Sequence, residues 1–188
     1  MKETKFKRKL KEKLERELGS QYRVKEKENL IYRVIVNGNL QYEPAEPENP
    51  RRGSYAFQTD LMIVKKVKRE KKEKELPLII IEIKSGDFTT HDVLTYSTKS
   101  LKHKEIYPYI RYGLVVGGKN EIDNRFFTHN AGFDFAVAMK EIEGAAWKRL
   151  KAIIYNQLKS AELLLDIFEN KKKVREFNSI IKNTTKNK

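Results

Sequence analysis

The chain has 188 residues, of which 39% are hydrophobic, and it carries 40 Lys and Arg against 26 Asp and Glu, a formal net charge of +14. That length suits one domain with a real core and excludes two ordinary ones. The lack of cysteine excludes disulfides and thiolate metal centres, and the positive excess favours a polyanionic partner, because neutralising phosphates releases condensed counterions.

Residues 2–18 read as a helix, with Phe6, Leu10, Leu14 and Leu18 forming one apolar stripe and Gly19 as its stop. This N-terminus, charged from Lys2 onward, does not read as a secretory signal. A strand is expected near Tyr22–Lys27. Ile31–Val36 is then expected to pair with Leu40–Tyr42 across Asn37-Gly38, a dipeptide whose residues tolerate positive φ. Pro44 to Ser54, rich in proline, reads as a loop. Arg51 and Arg52 at its end are candidate phosphate contacts, against the plainer alternative of a solvated turn.

Tyr55–Val67 reads as a strand with Asp60 inside it, and Leu76–Lys84 as its return strand, so that the two form a long antiparallel hairpin. Between them Lys65 to Glu75 is a charge run without apolar period, read as an exposed hairpin tip. Thr89 or Thr90 caps a helix that runs through Val93, Leu94, Tyr96, Thr98, Leu101 and Lys104, with Asp92 in its first turn. Tyr112–Gly118 is a short buried strand, residues 119–132 a polar loop, and Phe133–Met139 a further strand. The last third reads as helical: Trp147, Leu150, Ile154, Leu158, Ala161, Leu165 and Phe168 recur at threes and fours and suit packing inside the monomer first, a subunit contact second. The longest apolar run, Leu76 to Ile81, is far short of the roughly 20 residues of a membrane span. A soluble, cytoplasmic protein is expected. It forms a single domain over residues 1–181, with a core at about 2–118, a C-terminal strand and helices over 133–181, and a flexible tail at 182–188.

The chemistry concentrates in Ile81-Glu82-Ile83-Lys84. Side chains alternate along a strand, so Glu82 and Lys84 share a face. An acid and a lysine ending an apolar strand are costly unless they are used. With Asp60 from the neighbouring strand they can hold a hard divalent cation, Mg²⁺ with Mn²⁺ as substitute, with the backbone carbonyl of Ile83 as a further oxygen. In that scheme Asp60, Glu82 and Lys84 are the catalytic set, and Lys84 orients the attacking water and keeps both acids ionised. The acid-x-lysine pattern by itself recurs elsewhere in so charged a chain, and an ion pair at a strand end is the plainer alternative. His91, His103 and His129 lack zinc-ligand spacing.

An Asp followed by Glu-x-Lys on a hairpin, with one helix before and one after, resembles the PD-(D/E)xK superfamily. These are restriction endonuclease-like nucleases whose common core runs helix, three strands, helix, strand. The resemblance spans roughly Lys2 to Gly118; Asp60 matches the family's Asp, Glu82 and Lys84 its acid-x-lysine pair, and Thr59 stands where the family has proline. It implies an α/β (mixed α+β) fold, a central mixed sheet flanked by helices, with the hairpin near Asn37 and the C-terminal helices added to the core. It also implies a further metal ligand from the first helix, for which Glu17 and Glu3 are the candidates. Lys99 and Lys102 on the helix after the motif are candidate contacts to the DNA backbone, against a solvated helix face.

The expected activity is Mg²⁺-dependent DNA endonuclease action of restriction type on duplex DNA, by a homodimer with one site per strand. Rival readings are a Holliday-junction resolvase-like or repair nuclease, an RNA-directed protein, and a nucleic-acid-binding module without catalysis.

Overall fold

In a computed structural model the described residues are 2–46, 50–69 and 72–177. Their elements run α1 (Glu3–Glu17), β1 (Tyr22–Glu26), β2 (Asn29–Ile31), β3 (Ile35–Val36), β4 (Tyr42–Glu43), β5 (Ala56–Gln58), β6 (Leu61–Arg69), β7 (Lys72–Ser85), α2 (Thr90–Ile106), β8 (Arg111–Gly117), α3 (Asn124–His129), β9 (Phe135–Met139) and α4 (Gly144–Phe168). The expected flexible tail at 182–188 lies outside the described residues, as do residues 47–49 of the proline-rich loop.

A five-stranded mixed sheet in the order β1-β6-β7-β8-β9 forms the centre. β1, β6 and β7 pair antiparallel, while β7, β8 and β9 run parallel. The parallel step from β7 to β8 needs a crossover, which α2 supplies. Strand alternation then sorts the core. Ile79, Ile81 and Ile83 face α1 and α4, meeting Phe6, Leu10, Leu14, Trp147, Leu150 and Ile154. Ile80, Met62, Tyr112, Leu114 and Val116 face α2 with Phe88 and Val93. All five positions from Ile79 to Ile83 are buried, and each buried isoleucine contributes about 2 kcal/mol of transfer free energy. The α4 seam therefore packs on the sheet of its own chain.

Helix α2 starts at a complete capping box: the Thr89 hydroxyl accepts from the Asp92 N–H, and the Asp92 carboxylate accepts from the Thr89 N–H. Its buried face is Val93, Ser97, Ser100 and His103, small or polar side chains that let the helix lie close to its neighbours. The Ser100 hydroxyl donates to the Gly132 carbonyl (2.7 Å), where a Cβ on Gly132 would come within 2.8 Å of the Ser97 carbonyl oxygen.

The structure departs from the sequence reading in several elements. Ile31–Val36 is not one strand. Leu30 and Ile31 turn inward and pair with β5, and only Ile35 and Val36 pair with β4. The loop at Asn37 is wider than an Asn-Gly turn, because the Asn37 side-chain carbonyl accepts from both the Asn39 and Gln41 N–H groups and Leu40 takes the left-handed conformation (φ 60°).

Tyr55–Val67 is likewise broken at Thr59–Asp60. The Thr59 N–H and hydroxyl both donate to the Glu28 carbonyl, and the Asp60 carbonyl accepts from Lys27, so β5 belongs to a small separate sheet and Asp60 sits in the turn that leads into β6. The charge run beyond Lys65 is no mere tip: the ladder of β6 with β7 continues to Arg69 opposite Lys72. Its register shifts between Ile63 and Val64, opposite Ile79 and Pro77, where proline offers no N–H to the ladder. The 119–132 loop contains the short helix α3, and among the described residues the C-terminal helices form one helix, α4, ending at Phe168. Among the described residues, no helix is long and apolar enough to cross a membrane.

Candidate active site

The carboxyl end of β7 and the entrance of β6 meet at one end of the sheet. Leu61 pairs with Ile81, so Asp60 lies just before β6, next to Glu82 on the neighbouring strand, and alternation puts Glu82 on the α2 face with Ile80. Asp60 is fixed from two sides. Its Oδ2 accepts from the Ile83 N–H (2.9 Å) and its Oδ1 from Lys7 Nζ of α1 (2.8 Å). The side chain thus takes the Ile83 donor that a continuing β6 would have used; Thr59, opposite it, is bonded to Glu28 instead. An extended residue turns its N–H and its carbonyl to the same neighbour, so the Ile83 carbonyl also faces the Asp60 side.

Glu82 is 1% exposed. Its Oε1 accepts from Lys99 Nζ of α2 (2.6 Å) and from the Tyr112 hydroxyl of β8 (2.7 Å). Burial pushes the Glu82 carboxyl above its ordinary range, and the nearby Asp60 charge adds to the rise, while Lys99 and Tyr112 oppose it. Asp60, bonded to the N–H of the residue after Glu82, lies beside it. Burial would lower the Lys7 ammonium, but Asp60, with smaller help from Glu26 and Glu3, holds it above its ordinary value.

Lys84 shares the Glu82 face, yet it does not hold these acids ionised as the sequence reading expected. Its Nζ pairs with Asp92 Oδ1 (3.0 Å) and lies 5.6 Å from the centre of the Tyr96 ring. Burial acts to lower Lys84, and Asp92 with Tyr96 outweighs it, keeping the ammonium raised. The ammonium on Glu82 is that of Lys99, which was expected on the DNA-facing side of α2. Lys99 also donates to the Gln58 carbonyl (2.9 Å) and lies 5.3 Å from the Tyr96 ring centre. Tyr96 stands between the two lysines, and its hydroxyl is pushed up to about 12 by burial first and by Glu82 next.

The remaining candidates separate by position. Glu17 is not at the site. It pairs with Lys151 of α4 (3.0 Å) and its carbonyl accepts from Tyr155, because its position on α1 faces α4. Glu3 is exposed, one helical turn before Lys7, and acts on that lysine's charge. Lys102 points outward to Glu105 (2.9 Å), and Arg51 and Arg52 are exposed. His103, buried and without a role in the sequence reading, stacks on Tyr112 (ring centroids 5.7 Å apart).

No protein-family model matches the chain, and no curated protein matches it. Among the described residues there is no cluster of three or more His, Asp or Glu side chains placed to hold a metal ion. The donors present are hard oxygens, two carboxylates and the Ile83 carbonyl. Mg²⁺, which keeps several of its waters and needs only one or two carboxylates, fits such a set.

Lys7 and Tyr112 escaped the sequence reading. Tyr112 had a signal: a tyrosine in an otherwise apolar strand must find its hydroxyl a partner. Lys7 had none, being one of many lysines on its helix.

Proposed function

We propose that the chain is a divalent-metal-dependent nuclease of PD-(D/E)xK, restriction endonuclease-like type, hydrolysing phosphodiester bonds in duplex DNA. The observation that carries this reading is the anchoring of Asp60 on the N–H of Ile83, the residue next to Glu82, at the end of β7. The order α1, β1, β6, β7, α2, β8 around the site supports it, and so does the net charge of +14. A homodimer that places one site on each strand belongs to the same proposal.

Bound Mg²⁺ would supply Lewis acidity at the phosphate and an acidified water. Asp60, Glu82 and the Ile83 carbonyl would hold it. The chain's own groups do the orienting: Ile83 N–H sets Asp60, and Tyr112 sets the Glu82 rotamer. Lys84 can serve the attacking water only by leaving Asp92. One observation favours the rival reading, a nucleic-acid-binding module without catalysis: both acids are already neutralised by lysines.

The deciding experiment is cleavage of supercoiled plasmid with Mg²⁺ or Mn²⁺ by the wild-type protein, Asp60→Asn and Glu82→Gln. Nicking or linearisation by the wild type and its loss in both variants is expected. Equal cutting by all three proteins overturns the assignment.

A further inference from the structure

The two acids of the site are each matched by one lysine from a different helix. Lys7 comes from α1 and Lys99 from α2, and both ammonium groups are drawn in: side-chain exposure is 12% for Lys7 and 15% for Lys99, against 23% for Asp60 and 2% for Glu82. The quartet is electrically neutral. Lys7 is bonded to Oδ1 and Lys99 to Oε1, so a cation that takes these carboxylates would compete with the lysines for them. A divalent ion there would add two positive charges to acids that the two ammonium groups already neutralise, and their mutual repulsion favours release of the lysines. Lysine is suited to leave, since its head swings on a flexible stem that stays packed.

Lys84 differs. Its partner Asp92 belongs to the capping box of α2, with Oδ2 taking the Thr89 N–H (2.8 Å) and hydroxyl (2.9 Å). A cation between Asp60 and Glu82 does not compete for that carboxylate.

We propose, resting on the nuclease reading above, that Lys7 and Lys99 are exchangeable counter-ions. They hold Asp60 and Glu82 in the metal-free protein and transfer to backbone phosphates of the nucleic acid when a divalent cation takes the carboxylates. Four charges are re-paired and none is left alone: acid with metal, lysine with phosphate. Cation and nucleic acid then bind with positive coupling, and the coupling is reciprocal. Lys7 and Lys99 become phosphate-positioning residues, and the neutralised site is a resting state rather than a decayed one.

The test uses the full chain and two readouts besides cleavage. Ca²⁺ binding at pH 8 is measured by calorimetry for the wild type, Asp60→Asn, Lys7→Met, Lys99→Met and Lys99→Arg. Binding of a short labelled duplex is measured across a salt series in EDTA and in Ca²⁺. Lys7→Met and Lys99→Met remove a competitor and are expected to tighten Ca²⁺ by about fivefold or more. Lys99→Arg, with a less displaceable guanidinium fork, is expected to weaken it, and this opposite sign keeps the test decisive if a Met variant folds poorly. In Ca²⁺ each Met variant should lower the slope of log K against log salt by about 1, the value of one lost phosphate contact. In EDTA the slope should not change. Lys102→Met should show no difference between the two conditions.

Ca²⁺ affinity lost in Asp60→Asn but indifferent to Lys7 and Lys99, with equal slopes in both conditions, overturns the exchange and leaves the nuclease reading standing. Failure of every protein to bind Ca²⁺ or Mn²⁺ overturns both.

Discussion

Lys99 Nζ lies 2.6 Å from Glu82 Oε1, around a carboxylate with almost no solvent contact. Removing one member of a buried pair costs about 3–5 kcal/mol, because the other is left uncompensated. Lys99→Met is therefore expected to lower the unfolding free energy of the metal-free protein at pH 8 by about 3 kcal/mol. The loss should shrink toward acid. The Glu82 carboxyl is raised in the folded state, so its protonation favours folding, and the penalty of ionising it grows as pH climbs from the unfolded pKa through the folded one. Urea unfolding in EDTA at pH 8 and pH 5 checks this; a deficit equal at both pH values rules out an uncompensated Glu82 as its source.

Tyr112 presents the second donor to the same oxygen, at 2.7 Å. Tyr112→Phe keeps the ring against His103 and removes only the hydroxyl. A hydrogen bond to a charged group contributes about 2 kcal/mol, and that is the expected loss in unfolding free energy. Under the proposed function cleavage should also fall about tenfold, because the Glu82 rotamer loses a restraint, by the general scale of 1.4 kcal/mol per decade. A variant equal to wild type in both stability and cleavage would show that Lys99 alone fixes Glu82.

Much of this architecture is written in local pattern. The α1 stripe, the capping box at Thr89 and Asp92, and the apolar run into Glu82 each carry a physical signature at short range, and the corresponding elements form where those signatures lie. What the sequence hides is decided at long range. Leu94 and Leu101 look like the buried residues of α2, yet they are 48% and 43% exposed while Ser97, Ser100 and His103 are buried. Close approach to Gly132 selects small side chains there. The partner of Lys84 was likewise invisible: strand alternation gives its face, but Asp92 wins it because the helix cap holds that carboxylate beside the end of β7. Lys7 meets Asp60 across 53 positions of sequence, and no periodicity reports such a contact.

His103 supplies a pH signature apart from the acids. It is fully buried, its Nε2 bonds the Leu30 carbonyl (3.2 Å), and its Nδ1 has no partner. Burial lowers it from 6.5 to about 4; the Leu30 carbonyl pulls against this, and Lys99 adds a smaller push downward. The folded state therefore favours neutral imidazole. Stability is fully present above pH 6.5 and is lost as pH falls through 4, by about 3 kcal/mol for a gap of that size. His103→Gln, which keeps a donor for Leu30, should flatten the pH dependence of the melting temperature between 6.5 and 4. An unchanged slope would assign the acid sensitivity to other groups.

Gly113 is paired with Phe135 across β8 and β9, and a Cβ there would stand 2.0 Å from the Phe135 ring. No rotamer of alanine relieves a backbone-fixed methyl, so the ring or the strand must shift. Overpacking of this kind costs about 1–3 kcal/mol or more, and Gly113→Ala is expected at the upper end. The effect should reach the site, because Tyr112 is the adjacent residue on β8 and its hydroxyl is set for Glu82. Adding Phe135→Leu to Gly113→Ala makes room for the methyl. The double variant is expected to be more stable than Gly113→Ala alone, a non-additivity that only residues in contact show. Thermal melts of the two single variants and the double variant measure it. Strict additivity would mean that the glycine serves strand conformation rather than the fit of the Phe135 ring, and the link from β9 through β8 to Glu82 would be lost.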